Sequence, residues 1–321
     1  MTVAVSNECL ECVEAVLLKI SQKEEIVFAL RSFLSRCSVP YRKVQMDETL
    51  LAMSFDEARK RGYIVDGPDP LKPCIPQGIC IAMTSYAHLK DTSVQVWMAL
   101  FTACAIYCDD KFQKDTEAVA LFSKRLMHNQ PQQDHVLDGL ADLILEIPRL
   151  FPKISANIMV TSALNLINGF LLEDQTKGLP VSAWADNYPA FSRSITGAGE
   201  LYALAIFPPE VPLGSYIQAL PSLSAFVVNV NDILSFYKEE LAEETVNHIS
   251  LIAFARGCSQ SHAFHSLIHE TVEAHQKIIN ILGSDLQALD AYRNFASGYV
   301  YFHTSVDSRY HLNEIDLGLE A

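Results

Sequence analysis

Apolar residues return every three or four positions along most of this chain, and that period limits what it can fold into. "EEIVFALRSFL", "GICIAMTSYAHL", "TSVQVWMALFTACAIYCDD" and "DHVLDGLADLILEI" all carry it. Such spacing lays the apolar side chains along one face of an α-helix. "NECLECVEAVLLKI" places Leu10, Val13, Leu17 and Ile20 in the same way. No hairpin dipeptide sits between alternating strands, and no strand–helix alternation occurs. The expected fold is all-α, a single-domain helical bundle of roughly ten or more helices, large enough to enclose a cavity between its central helices.

The breaks in the pattern give the organisation. "DGPDPLKPCIP", Asp66 to Pro76, holds four prolines in eleven residues and predicts a loop. It separates an N-terminal helical layer, residues 1–65, from a helical core, residues 76–312. "GLPVSAWADNYP" and "FPPEVPLG" are further breaks, and three or four long helices follow between Ser215 and Tyr310. "SANIMVTSALNLINGFLLEDQ" is apolar on most sides and predicts a buried central helix.

Composition narrows the function. Half of the 321 residues are hydrophobic and the net charge is −14, which argues against nucleic acid as a partner. An anionic ligand would need local cations or metal ions against that background. The N-terminus lacks the basic start of a secretory signal. No uninterrupted apolar run reaches membrane-span length, and there is no N-x-[ST] acceptor. Eight cysteines are too dilute for a disulfide scaffold and read as reduced thiols of a cytoplasmic protein.

One stretch carries chemistry. In "NDILSFYKE", Asn231, Ser235 and Glu239 follow one another at four-residue intervals. A helix turns about 100° per residue, so the three fall within an arc of about 80°. Amide, hydroxyl and carboxylate are hard oxygen donors suited to Mg²⁺, and Lys238 stands beside the last. An exposed polar stripe is the plainer alternative, but the flanking "AFVVNVNDILSF" is too apolar for a solvent-facing helix.

Upstream, "AIYCDDKFQKD" ends a long apolar helix in Asp109 and Asp110. Paired carboxylates at a helix C-terminus oppose its dipole unless a cation compensates. If the helix continues, Gln113 lies one turn below Asp109 on the same face. Asp110 then points about 100° away, and Asp115 lies nearly opposite.

Together these motifs resemble those of the class I terpene cyclases, and among them the fungal trichodiene synthase-like family. "NDILSFYKE" is similar to that family's second metal motif and "YCDDKFQ" to its aspartate-rich motif. "YPAFSRSITGAG" resembles its diphosphate-sensing segment and "DSRYHLNE" its terminal Arg-Tyr motif; the likeness runs from about Ile79 to Leu312. It implies a sesquiterpene cyclase that ionises farnesyl diphosphate with three Mg²⁺ ions and leaves room for a homodimer. Asp109, Asn231, Ser235 and Glu239 would bind metal. Arg193, Lys238, Arg309 and Tyr310 would hold the diphosphate. Aromatic residues on the same helices, Phe101, Tyr107, Phe226, Tyr299 and Phe302, are candidates for the wall of a dry pocket. The chain departs from the family pattern at Gln113, at Ser308 and in ending eleven residues after Tyr310; these departures bear on the product, not on the reaction class.

Other features carry less. Cys9 and Cys12 form a lone C-x-x-C without a second pair. His262, His265 and His269 share a polar helix face that reads as solvated, as do Glu240, Glu243 and Glu244. A chain-elongating prenyl synthase would need a second aspartate-rich motif in place of "NDILSFYKE". A non-catalytic helical binding protein would not need cations beside two metal motifs.

Overall fold

The computed structural model describes residues 23–38, 45–112, 116–182, 184–242, 247–306 and 308–317. Among them there is no strand. Helix α1 covers residues 23–36. It is followed by α2 (Glu48–Lys60), α3 (Ile75–Ser85), α4 (Thr92–Phe112), α5 (Thr116–Ala120) and α6 (Phe122–Met127). Then come α7 (His135–Leu150), α8 (Lys153–Thr176), α9 (Tyr188–Thr196) and α10 (Gly199–Leu204). The last four helices are α11 (Leu220–Leu241), α12 (His248–Arg256), α13 (Gln260–Leu282) and α14 (Leu286–Tyr301). The segment Asn7–Ile20, with Cys9 and Cys12, lies outside the described residues, as do Gln113, Asp115, Glu243, Glu244 and the side chain of Asp110.

Side-chain caps set several boundaries. Asp47, Asp134, Asn247, Ser259 and Asp285 each accept a hydrogen bond from backbone N–H groups of the first turn that follows, satisfying donors with no intrahelical partner. The proline-rich loop is shorter than its sequence suggests, because α3 begins at Ile75 with Pro76 in its first turn. Proline is well placed there, since its missing N–H would have no helical acceptor.

Buried side chains from Ile26 to Leu317 form one hydrophobic cluster, so α1 and α2 share the core of the later helices. Close helix contacts at two glycines join α3 to its neighbours. A Cβ on Gly78 of α3 would lie 2.0 Å from the Ala99 carbonyl of α4, and one on Gly298 of α14 would lie 2.0 Å from the Thr84 carbonyl of α3. These contacts seat α14 with Tyr299 against the central helices.

Helix α8 is not the buried centre its composition suggests. Half of its most apolar window is buried, against two-thirds for the Ile217–Leu241 stretch. The mixed face of α8 includes Ile154, which is half exposed, so α11 is the more enclosed helix. Both are long and apolar enough to cross a membrane by length and composition, a test that core helices of globular proteins also pass.

Two buried histidines tie stability to pH. His275 lies between the Tyr292 hydroxyl, 2.7 Å from Nδ1, and the Cys37 backbone, and burial pushes its pKa down to about 4. Burial has the same effect on His303. The ordinary value is 6.5. As pH falls from 6.5 towards 4, the unfolded chain therefore takes up protons that the folded chain refuses, and stability is lost. Each histidine costs up to about 3 kcal/mol by the end of that window. Glu173 and Glu240, raised by burial, act with the opposite sign. The decisive measurement is thus the difference between wild type and His275→Gln. Calorimetry should show a smaller drop in Tm from pH 7 to pH 5 for the variant, and parallel curves would contradict this account.

Candidate active site

A cavity of about 1340 Å³ opens between α4, α8, α9, α10, α11, α12 and the C-terminal segment. Part of its lining is apolar, with Ile81, Ile106, Leu166, Phe170 and Val228 among the residues. Its rim is charged. Asp109 from the end of α4, Arg193 from α9, and Asn231, Ser235, Lys238 and Glu239 from α11 all face it, joined by Arg309 and Tyr310 from the C-terminal segment. The structure therefore gathers every proposed metal-binding and diphosphate-binding residue around one opening.

On α11 the four-residue spacing produces direct contact, because Ser235 Oγ donates to Glu239 Oε1 at 2.6 Å. Asn231 stands one turn earlier. Arg193 meets this helix from α9. Its Nε donates to Asp232 Oδ2 at 2.9 Å, and its Nη2 lies 2.8 Å from Asp232 Oδ1, a forked ion pair. Nη2 also donates to Asn231 Oδ1 at 3.2 Å, and Nη1 to Thr196 Oγ1 at 3.3 Å. Burial alone would lower the Arg193 pKa, but the Asp232 carboxylate outweighs it and the net direction is upward. The guanidinium stays charged.

The break after α9 is tight. Ala198 takes a left-handed backbone, φ +47°, which costs an L-residue energy unless its surroundings enforce it. A Cβ on the preceding Gly197 would lie 2.2 Å from Val228 of α11. The break is thereby pressed against the helix that carries the oxygen donors.

Across the rim, Arg309 Nη2 lies 3.7 Å from Asp109 Oδ2, and its Nη1 donates to Gln77 Oε1 at 3.4 Å. Tyr310 is buried, its ring edge-on to Phe302 at 5.8 Å between centroids. Tyr299 and Phe302 line the cavity and stack on each other at 6.2 Å. Phe101 does not reach it: the ring is fully buried, stacked on Trp97 at 5.1 Å, and meets the lining residue Tyr202 edge-on. Tyr107 turns its hydroxyl to Asp134 at 3.2 Å, and Phe226 packs against His275 and Tyr292; neither lines the cavity. Helical spacing puts these rings on the right helices but does not say which face meets the chamber.

Several lining residues escape a motif-based reading. Glu173 near the end of α8 faces the cavity, and burial raises its pKa against the opposing pull of Arg193. His248 Nε2 lies 4.0 Å from Asp232, and burial lowers its pKa. The Thr102 and Tyr202 hydroxyls, 3.0 Å apart, are a polar pair in the wall, and burial pushes the Tyr202 phenol up to about 12. Only Asp232 had a visible signal, a carboxylate inside the apolar run "VNVNDILSF". His262, His265 and His269 are exposed on α13.

The donor set suits a hard divalent cation. Asp109, Asn231, Ser235 and Glu239 offer oxygen only. Among the described residues no three His, Cys, Asp or Glu side chains gather into a cluster that could hold a metal, so a soft nitrogen–sulfur site has no candidate there.

An all-α chamber with oxygen donors and cations at its mouth is the architecture of the class I terpene synthases. The linalool/nerolidol synthase of Streptomyces clavuligerus superposes with a TM-score of 0.60 at 15% identity, over 81% of this chain and 96% of that one; at that identity the likeness establishes the fold. Residues 43–317 match the family model described as trichodiene synthase (TRI5), and the chain belongs to that family. The alpha-cuprenene synthase COP6 of Coprinopsis cinerea is 35% identical over 295 residues, covering 91% of this chain and 90% of the relative. Monoterpene synthase 25 of Postia placenta is 33% identical over 291 residues, covering 89% and 85%.

Proposed function

We propose that this protein is a sesquiterpene cyclase that ionises farnesyl diphosphate and cyclises the resulting cation to a hydrocarbon or alcohol. The observation that carries the reading is that one cavity is lined both by oxygen donors and cations, Asp109, Arg193, Asn231, Ser235, Lys238, Glu239, Arg309 and Tyr310, and by apolar and aromatic side chains. Family membership and the cuprenene-forming relative support it.

Each part of the cavity matches a need of the reaction. The allylic C–O bond breaks with its electron pair leaving on the diphosphate oxygen, so no acid or nucleophile is needed. Arg193, Lys238, Arg309 and the Tyr310 hydroxyl would donate hydrogen bonds to that oxygen cluster as its charge develops. Asp109 on one side and Asn231, Ser235 and Glu239 on the other would hold Mg²⁺, three ions by the family resemblance. When bound, Mg²⁺ supplies positive charge that stabilises the departing diphosphate. Tyr299 and Phe302, both in the lining, would offer aromatic surface to a carbocation. The apolar wall keeps water away from it.

The test is incubation of purified protein with farnesyl diphosphate and Mg²⁺, with volatiles read by gas chromatography–mass spectrometry and geranyl diphosphate run in parallel. Cyclic fifteen-carbon products are expected. Turnover should cease with EDTA and return with Mg²⁺ but not Zn²⁺, given the all-oxygen donors. A preference for geranyl diphosphate would move the substrate down one isoprene unit. Turnover without a divalent cation would overturn the mechanism.

A further inference from the structure

Asn231 presents a difficulty peculiar to amides. One end of its side chain is an oxygen that can ligate a hard cation, and the other is an NH₂ that cannot. A half-turn about the last side-chain bond exchanges them at little steric cost. Asn231 sits only partly buried at the cavity rim, so packing alone does not choose between the two.

His303 chooses. The ring is wholly buried in the π-helical turn Phe302–Val306 that follows α14, the kind of local widening often found at functional sites. Its Nδ1 lies 2.7 Å from the Tyr299 carbonyl. A carbonyl can only accept, so Nδ1 carries the proton. In the neutral ring Nε2 is then a bare acceptor, and it lies 3.2 Å from Asn231 Nδ2. On the other side, Arg193 Nη2 donates to Asn231 Oδ1 at 3.2 Å. With the amide reversed, its NH₂ would face the guanidinium donor and its oxygen the imidazole lone pair, leaving two repulsive contacts in place of two hydrogen bonds. The network closes in one orientation only.

We infer that His303 is a positioning residue, which fixes the Asn231 amide so that its oxygen meets the cation of the cavity rim. The role is the one a supporting hydrogen-bond partner plays behind a metal ligand. The Tyr299 carbonyl sets the tautomer, His303 sets the amide, and the amide presents oxygen. The inference rests on the reading of Asn231 as a metal ligand.

Binding of Mn²⁺ to the full-length protein in the presence of inorganic diphosphate, followed by electron paramagnetic resonance, tests it without turnover. Glu239→Gln is the control: if it binds Mn²⁺ as wild type does, the metal-site reading falls and this inference with it. Given a weakened control, His303→Phe, which fills the space without an acceptor, should weaken binding by about 10- to 100-fold. His303→Gln can still turn an amide oxygen towards Asn231 and should bind close to wild type. Asn231→Asp offers oxygen at both ends, so adding it to His303→Phe should restore binding to the level of Asn231→Asp alone. Unchanged Mn²⁺ affinity in His303→Phe would overturn the inference. So would equal losses in the Phe and Gln variants, because ring packing would then be what matters. Should His303→Phe not fold, as judged by circular dichroism, His303→Leu takes its place in the same comparisons.

Discussion

Glu239→Gln should lower kcat by roughly 10²- to 10³-fold, the size of loss typical when one contribution to transition-state charge stabilisation goes, here through a weakened hold on the Mg²⁺ that would supply it. It should barely move Tm. Glutamine keeps the shape of glutamate and keeps an oxygen to accept the Ser235 hydroxyl, now 2.6 Å from the carboxylate. Glu239 is only partly buried at the cavity rim, so no core packing is lost. What disappears is the negative charge that, on the proposed function, would make this oxygen a ligand for a hard cation. The defect should therefore shrink as Mg²⁺ is raised, and the Mg²⁺ concentration for half-maximal rate should move upward. Steady-state kinetics with farnesyl diphosphate at several Mg²⁺ concentrations, with calorimetry on the same samples, provides the check. Wild-type turnover at limiting Mg²⁺ would remove Glu239 from the metal site.

The position of Glu239 was legible because helix geometry is local. Four-residue spacing on an apolar segment puts Asn231, Ser235 and Glu239 on one stripe whatever the rest of the chain does, and α11 realises it. The all-α class was legible for the same reason. What the sequence does not display is how helices distant in the chain meet. Arg193 and Asp232 are 39 residues apart, and no spacing rule joins them. Glu173 belongs to no motif and becomes interesting only because α8 turns that face to the cavity. Phe101 and Phe226 show the converse: helical spacing assigned them to the right helices, but packing turned their rings into the core. His303 was hidden further, since its role depends on a π-turn and on the Tyr299 carbonyl, which are backbone features.

Arg193→Ala should both destabilise the fold and abolish turnover, and a second substitution should separate the two effects. The Arg193 and Asp232 side chains keep only 18% and 9% of their exposure. Removing the arginine strands a buried carboxylate, and His248, 4.0 Å from it, is held towards neutrality by its own burial. Breaking such a pair costs about 3–5 kcal/mol. Arg193→Met combined with Asp232→Asn removes both charges while keeping much of the volume, and should recover most of that stability, because replacing a buried pair whole is often nearly neutral. It should recover none of the activity. On the proposed function the grip on diphosphate would need the guanidinium itself, and the structure limits how it could be delivered. Of the five N–H donors of arginine, two point at Asp232, one at Asn231 and one at Thr196. An incoming diphosphate must use the remaining Nη1 proton or take over from Thr196 and Asn231, while Asp232 continues to hold the other edge of the group. Asp232 is thus a handle that aims Arg193, and the paired substitution tests handle and grip at once. Urea unfolding gives the stability and single-turnover kinetics the chemistry. A stable, active double variant would place the diphosphate contact on Lys238, Arg309 and Tyr310.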